Sequence, residues 1–530
     1  MSKVRPATPI IDLFAGPGGL GEGFSRRRDT AGRRKFEIVL SIEKDPRAHQ
    51  TLELRAFYRQ FSPESIPDEY YQYLWGDITR EELFEIFPEK SARAQSEARC
   101  LTLGEDNIVP LVKKALKGKK SWVLIGGPPC QAYSLVGRSR MSGAGLRREG
   151  ESKKTYSLRL EKQRLEFEND HRHLLYREYL SVIASAWPPI FVMENVKGIL
   201  SAKLDGKRIF PSILRDLTNP RKALGQPGKR FRYKIHSLVE DKVFSGDPSD
   251  ESINFLIKSE NYGVPQKRHR VILVGVRDDL DSKNMSTLMQ SIQISVKETI
   301  GNLPKLTSGL SKGKNESPFA ALSRVREELE DIERSGFDQT VLSRMKSGLR
   351  SLRKEEARGS RFMKSNTSKP AIEWMADNEL GGVCNHETRS HIEKDLWRYY
   401  FCAIFAKLHG RSPKLRDFPK ALLPNHRNVS GEGVSSKFGD RFRVQISSEP
   451  STTVVSHISK DGHYYIHYDP SQYRSLTVRE AARLQTFPDN YFFEGPRTEQ
   501  FKQVGNAVPP YLAFQVAAVV EELLSTNNKQ

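Results

Sequence analysis

Five short apolar runs set the rhythm of this 530-residue chain: Ile10–Phe14, Ile38–Ile42, Ser121–Ile125, Ile190–Met193 and Val271–Val276. Short β-branched runs separated by segments of helical composition predict a parallel α/β sheet. Ligands of such sheets bind beyond the C-terminal ends of the strands, so the residues that follow each run become candidates. Two segments break the rhythm. Arg138–Asp170 is rich in Arg, Lys, Ser and Glu and predicts a long mobile loop running into a charged helix. The stretch from about 280 to 472 mixes the charged helical segment Arg324–Arg358 with turns and extended-leaning pieces, Arg441–Val444 and Thr452–Val455. It reads as a separate, mixed domain. The α/β pattern resumes near Leu476, with a helix over Thr477–Gln485 and a last helix over Pro510–Leu524. The expected division is an α/β domain over 1–279, a second domain over 280–472, and a segment 473–530 that returns to the first.

Charge changes this picture most. Lys and Arg outnumber Asp and Glu by 85 to 65, a formal net charge of +20. Such a surplus favours a polyanionic partner, because basic side chains release condensed counterions from a phosphate backbone. The cysteines stand at 100, 130, 384 and 402, with no CxxC pair and no histidines at zinc-finger spacing. That pattern argues against a disulfide framework or a structural metal, and free thiols fit a reducing compartment. The opening MSKVRPATPIIDLF lacks the apolar core of a secretory signal, and no apolar run reaches the roughly 18 residues of a membrane span. A cytoplasmic protein without membrane contact is expected.

Candidate chemistry clusters at strand ends. Asp12-Leu13-Phe14-Ala15-Gly16-Pro17-Gly18-Gly19-Leu20-Gly21 is a strand-to-helix turn rich in glycine. Glycine lets backbone approach a ligand, and the helix start offers free N–H groups. The spacing is not the GxGxxG of dinucleotide binders, and many tight turns look alike. Glu43, after the second run, is placed to take a ribose diol, and Asp77, in Trp75-Gly76-Asp77-Ile78, an adenine amino group. Either carboxylate alone is more often a solvated loop residue. Together they outline a nucleoside pocket without deciding which nucleoside. Gly126-Gly127-Pro128-Pro129-Cys130-Gln131 follows the third run. A cysteine is usually a small buried hydrophobe. One held on a proline-stiffened turn at a ligand edge, near basic residues, is equally a candidate thiolate.

The stretch GPPCQ resembles the catalytic motif of the cytosine-5 DNA methyltransferases, and further motifs follow in that family's order. DLFAGPGG resembles the cofactor turn. Met193-Glu194-Asn195-Val196 resembles the ENV motif, and Gln266-Lys267-Arg268-His269-Arg270 the QxRxR motif. Arg474 to Glu480, continued by Leu484-Gln485-Thr486-Phe487-Pro488, resembles the motif after the recognition domain. Gln503-Val504-Gly505-Asn506-Ala507-Val508-Pro509-Pro510 resembles the C-terminal motif that closes the cofactor pocket. Asp170-His171-Arg172, ahead of Leu175 and Tyr176, resembles the start of the helix that ends the mobile loop.

The resemblance implies a Rossmann-like α/β methyltransferase domain that binds S-adenosylmethionine, a target-recognition domain over 280–472, double-stranded DNA as substrate, and no metal. Cys130 would add to carbon 6 of an extruded cytosine, making carbon 5 enamine-like. Glu194 would stabilise the charge at ring nitrogen 3, burial on an apolar strand favouring its neutral form. Arg268 and Arg270 alternate, so in extended chain they point to one side. Arg270 is the implied base contact. Phe14, Ala15, Gly16, Gly18, Gly19, Glu43, Asp77, Ile78, Pro129, Asn506, Ala507 and Val508 would hold the cofactor. Gln131, Gln266, Arg138 and Arg140 fall on the DNA side, and Asn425 to Asn428 and Arg441 to Arg443 are candidates for reading bases or phosphates. Two departures stand out. The stretch between Cys130 and Asp170 is longer than a minimal family member's loop, and Lys44 follows Glu43 where an adenine-stacking aromatic is common. The family setting is a prokaryotic restriction–modification system, with a monomeric enzyme and a nuclease acting separately. A tRNA-modifying relative and a non-catalytic DNA-binding protein on the same fold remain as rival readings.

Overall fold

The computed structural model describes residues 6–129, 152, 171–204, 207–228, 230–246, 252–311, 317–325, 329–330, 332, 337–350, 352, 357–365, 370, 372–424 and 439–527. The expectations for Cys130, Gln131, Arg138, Arg140, nearly all of Arg138–Asp170, and Asn425 to Asn428 lie outside these residues. Five strands run parallel: β1 (Thr8–Leu13), β2 (Phe36–Glu43), β3 (Ala98–Cys100), β4 (Val123–Gly126) and β5 (Ile190–Val196). Their order is β3–β2–β1–β4–β5, so the direction of progress reverses between β1 and β4. A ligand crevice opens at such a switch point.

Beyond β5 the sheet stops being parallel. Strands β6 (Tyr233–His236), β7 (Val243–Phe244), β8 (Leu256–Lys258), β9 (Gln266–Lys267) and β10 (His269–Arg277) follow in the chain. β10 lies antiparallel to β5 on one side and to β6 and β8 on the other. The run Val271–Val276 was expected as one more parallel strand. The residues between β8 and β10 are too few for the crossover of a dozen or more that parallel pairing demands.

Both faces of the sheet are covered. Ile11, Leu13, Leu124, Met193 and Leu273 pack under helices α4 (Ile108–Leu116) and α5 (His171–Ala186). Ile10, Ile38, Ile125, Val192 and Ile272 pack under α1 (Gly19–Ser25) and the last helix, α9 (Pro510–Asn527). The stretch Arg497–Asn527 is long and apolar enough to cross a membrane, but 67% of its apolar window is buried in the protein. Helices α2 (Pro46–Tyr58) and α3 (Asp68–Trp75) lie at the β3 edge; Asp45 caps α2 by accepting the N–H groups of Arg47 and Ala48.

The segment 280–472 divides its packing. Around α6 (Glu393–His409), Ala321, Val341, Phe401, Phe442, Ile466 and Tyr473 form a core of their own. Val296, Ile300, Val383, Val454 and Tyr465 instead pack with the C-terminal Leu476, Phe487 and Val504, while Leu380 and Cys384 join α2 and α3. The extended pieces shrink to a bridge between Val444 and Ile466 and the two-residue strand β11 (Ser451–Thr452), parallel to β9.

Buried arginines hold the C-terminal segment. Thr477 and Glu480 form a capping box at the start of α7 (Val478–Leu484). The same Glu480 carboxylate receives Arg474 through both nitrogens, at 2.8 and 2.6 Å, with both side chains 1% exposed. Burial works against the Glu480 charge, but Arg474 outweighs it and holds the carboxyl below its ordinary range. Arg483 grips Asp489 in the same manner, at 2.8 Å twice. Removing one partner of a buried pair leaves an uncompensated charge. Glu480→Gln should therefore lower unfolding free energy by about 3–5 kcal/mol in urea denaturation. A loss within the ~1 kcal/mol of an exposed pair would show that the Arg474 contact carries little of the segment's stability.

Candidate active site

The crevice at the β1/β4 switch point is a cleft of about 280 Å³. Phe14, Gly16 and Pro17 line it from the turn after β1, Glu43, Lys44 and Asp45 from the end of β2, and Gly127 and Pro129 from the turn after β4. Leu101 and Leu103 close one wall, and Glu499, Lys502, Gln503 and Asn506 form a rim on α8 (Arg497–Asn506). The turn after β1 is backbone-built. Phe14 has φ 59, and Gly16 has φ 57 with no atom within 4 Å of where a Cβ would stand. Gly19 meets the C-terminal motif closely, its missing Cβ falling 2.3 Å from Val508 O. A non-glycine backbone in the left-handed region, as at Phe14, costs free energy and persists where the surroundings enforce it.

Glu43 organises this turn. One carboxylate oxygen accepts the Gly16 N–H at 2.8 Å, and the other accepts the Asp45 N–H at 2.8 Å. Burial pushes the Glu43 carboxyl up, and those two N–H groups work against it. Each oxygen keeps a further lone pair for a ligand hydroxyl. Apolar walls at Phe14, Leu101, Leu103 and Leu175, a carboxylate at hydroxyl reach and open space over a glycine backbone suit an adenosyl group.

A second cluster adjoins the first. Glu194, near the end of β5, stands opposite Ile272 of β10, so Arg270 is its diagonal neighbour on the same face. Arg270 Nε lies 2.8 Å from Glu194 Oε1, with side chains 11% and 13% exposed. The Glu194 carboxyl expected on an apolar strand has this arginine as its immediate neighbour. Its other oxygen borders the Gly127 turn, 3.2 Å from where a Gly127 Cβ would stand. Asn195 Nδ2 donates to Pro128 O at 3.0 Å and ties the Pro-Pro turn to β5. Val196, on the Glu194 side of the strand, keeps an exposed apolar side chain. Glu194, Arg270 and Pro129 are thereby brought to one turn, with Phe14, Gly16, Glu43 and Asn506 around the adjoining cleft.

Four expected site residues take other positions. Arg268 stands close to Arg270 and Glu194, but its guanidinium is engaged inside the protein. The chain kinks between β9 and β10, where the Ser259 hydroxyl accepts the Arg268 N–H at 3.1 Å and donates to Arg268 O at 2.6 Å. The Arg268 guanidinium, buried with no carboxylate, donates to Val454 O at 2.7 Å and Gly505 O at 3.1 Å. Burial, with Arg270 alongside, pushes its pKa well down. Gln266 is fully buried rather than DNA-facing; its amide donates to Leu484 O and Gln485 Oε1 and accepts the Val454 N–H at 2.8 Å. Asp77 and Ile78 follow α3 outside the cleft lining, Asp77 exposed with its N–H bonded to Gln72 O. Leu101 and Leu103, beyond the three-residue β3, stand in the cleft wall instead. Among the described residues, no group of three or more His, Cys, Asp or Glu is arranged to hold a metal ion. Ala15 and Ala507 are buried behind the turn and the rim.

Sequence reading missed Asn195 as a tether, Ser259 as the support of the kink, and Leu101 and Leu103. Asn195 sits inside a motif and was open to notice. Ser259 carries no local signal.

Comparison with known proteins identifies the family. The C-5 cytosine-specific DNA methylase family matches residues 105–522. The type II methyltransferase M.Bpa9945I of Bacillus paralicheniformis is 31% identical over 540 residues, covering 97% of this chain and 99% of that protein. The DNA (cytosine-5-)-methyltransferase M.ApeKI of Aeropyrum pernix is 26% identical over 466 residues, 81% of this chain and 87% of its own. A solved DNA modification methyltransferase from an E. coli prophage shares the fold, with TM-score 0.51 and 19% identity over 98% of this chain and 100% of that one.

The two motif arginines predict different phenotypes. Arg268→Ala leaves two buried carbonyls unpaired and should cost about 2–4 kcal/mol of stability. Arg270→Ala leaves the nearly buried Glu194 carboxyl without its cation, so it should cost about 3–5 kcal/mol and also remove a group of the site. Urea denaturation, read beside methylation activity per folded molecule, measures the contrast, and equal residual activity in both variants would refute the division of roles.

Proposed function

Because the chain belongs to the C-5 cytosine-specific DNA methylases, we propose that it moves a methyl group from S-adenosylmethionine to carbon 5 of a cytosine in duplex DNA, with Cys130 as nucleophile. The observation that carries this reading is the meeting of Glu194, Arg270 and the nucleoside-sized cleft on one turn, Gly127–Pro129. Cys130 follows Pro129 directly. When bound, S-adenosylmethionine supplies an electrophilic methyl group. Phe14, Leu101, Leu103, Leu175 and Pro129 would enclose its adenosyl part, Glu43 would accept its ribose hydroxyls, and Asn506 would hold the rim.

The chain's own groups do the rest. The Cys130 thiolate forms a bond to cytosine carbon 6, and the carbon 5–carbon 6 π electrons move to carbon 5. Glu194 holds the proton at ring nitrogen 3, where negative charge develops, and Arg270 fixes the Glu194 carboxyl. After carbon 5 accepts the methyl group, a base takes its proton and the sulfur leaves with its electron pair, which restores the ring. The cytosine must leave the stack first, at a cost of a few kcal/mol. The surplus of basic residues offsets that cost through phosphate contacts. The recognition segment, with its own packed core around α6, supplies surface for reading duplex DNA. The relatives' type II names favour a restriction–modification setting, in which a monomer modifies DNA in the cytoplasm and a nuclease acts separately.

Labelled cofactor offered with duplex DNA and with tRNA tests the substrate, and 5-fluorocytosine DNA tests the adduct. Duplex DNA should be labelled and tRNA should not. Cys130→Ala should lose the trapped adduct and at least about 10³-fold in turnover while keeping cofactor binding. Glu194→Gln should lower kcat by about 10²–10⁴-fold. Full methylation by the Cys130 variant would end the covalent mechanism, and preferential labelling of tRNA would end the DNA reading.

A further inference from the structure

Beneath the glycine turn, two buried arginines are each matched by one carboxylate, and a third carboxyl is left over. Arg55 grips Glu22 through two nitrogens at 2.8 and 2.6 Å, and Arg59 pairs with Glu97 at 2.5 Å. The remaining group is Asp12, on β1 just ahead of Phe14. It is wholly buried, no side chain among the described residues makes a hydrogen bond to either oxygen, and the polar group it meets is the Gly21 backbone N–H of α1. Across the β1–β2 register it faces Ser41, whose hydroxyl is buried and without a partner among the described residues. Helix α1 lies directly over it, since a Cβ on Gly21 would stand 3.1 Å from Asp12 Oδ2. The groups that face Asp12 are Glu43 on β2, Arg59 after α2, Glu97 before β3, Tyr179 on α5, Tyr491 on the C-terminal segment and the Gly21 backbone. The one cation among them is already committed to Glu97, and two are carboxyls.

We propose that Asp12 works as an uncharged carboxylic acid that positions the glycine turn, and that its ionisation loosens the turn and weakens S-adenosylmethionine binding. An ionised Asp12 would have only the Gly21 N–H and an arginine already paired with Glu97 to offset the loss of water, and buried groups in that position take up a proton instead. It would also repel Glu43, whose carboxylate holds the Gly16 N–H at the cleft. Burial of Asp12 first, with Glu43 and Glu97 adding to it and Arg59 opposing, pushes its carboxyl up to about 8. The folded group is then protonated in the range where the unfolded one is ionised. Folding takes up a proton between about pH 4 and pH 8, so stability falls as pH rises through that window and levels off above it. Cofactor affinity follows the folded-state titration and declines above it.

The proposal rests on reading the cleft as the S-adenosylmethionine site, and the two can fail separately. Titration calorimetry with S-adenosylmethionine, on wild type and Asp12→Asn from pH 6.5 to 9.5, reads the effect. Wild-type Kd should rise by up to about tenfold per pH unit above 8. The variant should show no such limb and should bind more tightly than wild type at the alkaline end. Equal pH dependence in both overturns the role of Asp12 alone. Absence of binding by both proteins at every pH overturns the site and the role together. Should the variant fail to fold, infrared spectra of the wild type decide. The carbonyl stretch of a protonated carboxyl should persist at neutral pH and vanish with a midpoint near 8, and its absence at pH 7 overturns the proposal.

Discussion

The antiparallel register between β5 and β10 is the constraint on which the proposed chemistry depends. It sets Glu194 against Ile272 and hence Arg270 diagonally beside Glu194. A slip of one residue would turn every side chain of β5 to the other face of the sheet. Glu194 would then enter the packed core and Asn195 would leave Pro128. With both faces of Ile190–Met193 packed against covering helices, the cost of burying the Glu194 carboxyl is what opposes such a slip. Three successive residues therefore have three separate tasks. Glu194 borders the Gly127 turn, Asn195 anchors the prolines, and Val196 stays exposed beside them.

Outside the sheet, buried guanidinium groups replace strand pairing. The described residues of 374–510 contain little regular sheet, so many of their carbonyls need partners. Arg479 donates to Cys384 O, Pro488 O and Tyr491 O, and Arg268 to Val454 O and Gly505 O. Arginine suits this role because it offers five donors in a fixed plane and is more weakly hydrated than lysine. Arg474 and Arg483 add buried carboxylate partners, so the segment is bound by charge as well as by apolar contact.

Much of this was legible in the chain. All five apolar runs became strands, because runs buried on both faces leave an unmistakable pattern. The glycine turn, Glu43, Pro129 and Asn506 meet at one cleft, as strand-end logic requires. The misplacements have physical sources. Alternation predicted one shared side for Arg268 and Arg270; the two stand close together, but the Arg268 guanidinium is taken up by carbonyls of residues 454 and 505. Gln266 read as a polar, outward residue, yet its partners come from residues 454, 484 and 485, between 188 and 219 positions away. Asp77 drew attention through its local sequence, whereas the third strand is only three residues long and forms twenty positions later. Contacts so distant in the chain leave no local pattern to read.

The same distance in sequence gives the Arg268 clamp a mechanical meaning. One of its carbonyl partners, Val454, follows β11; the other, Gly505, precedes Asn506 on the rim of the cleft. Backbone meets backbone here, since a Cβ on Gly505 would fall 2.3 Å from Ser456 N. Gln266 reinforces the joint by accepting the Val454 N–H while its amide reaches Gln485, which in turn donates to Val504 O and Ala507 O. Residues 451–456 and the end of α8 are therefore joined by direct backbone packing and by hydrogen bonds to one shared guanidinium.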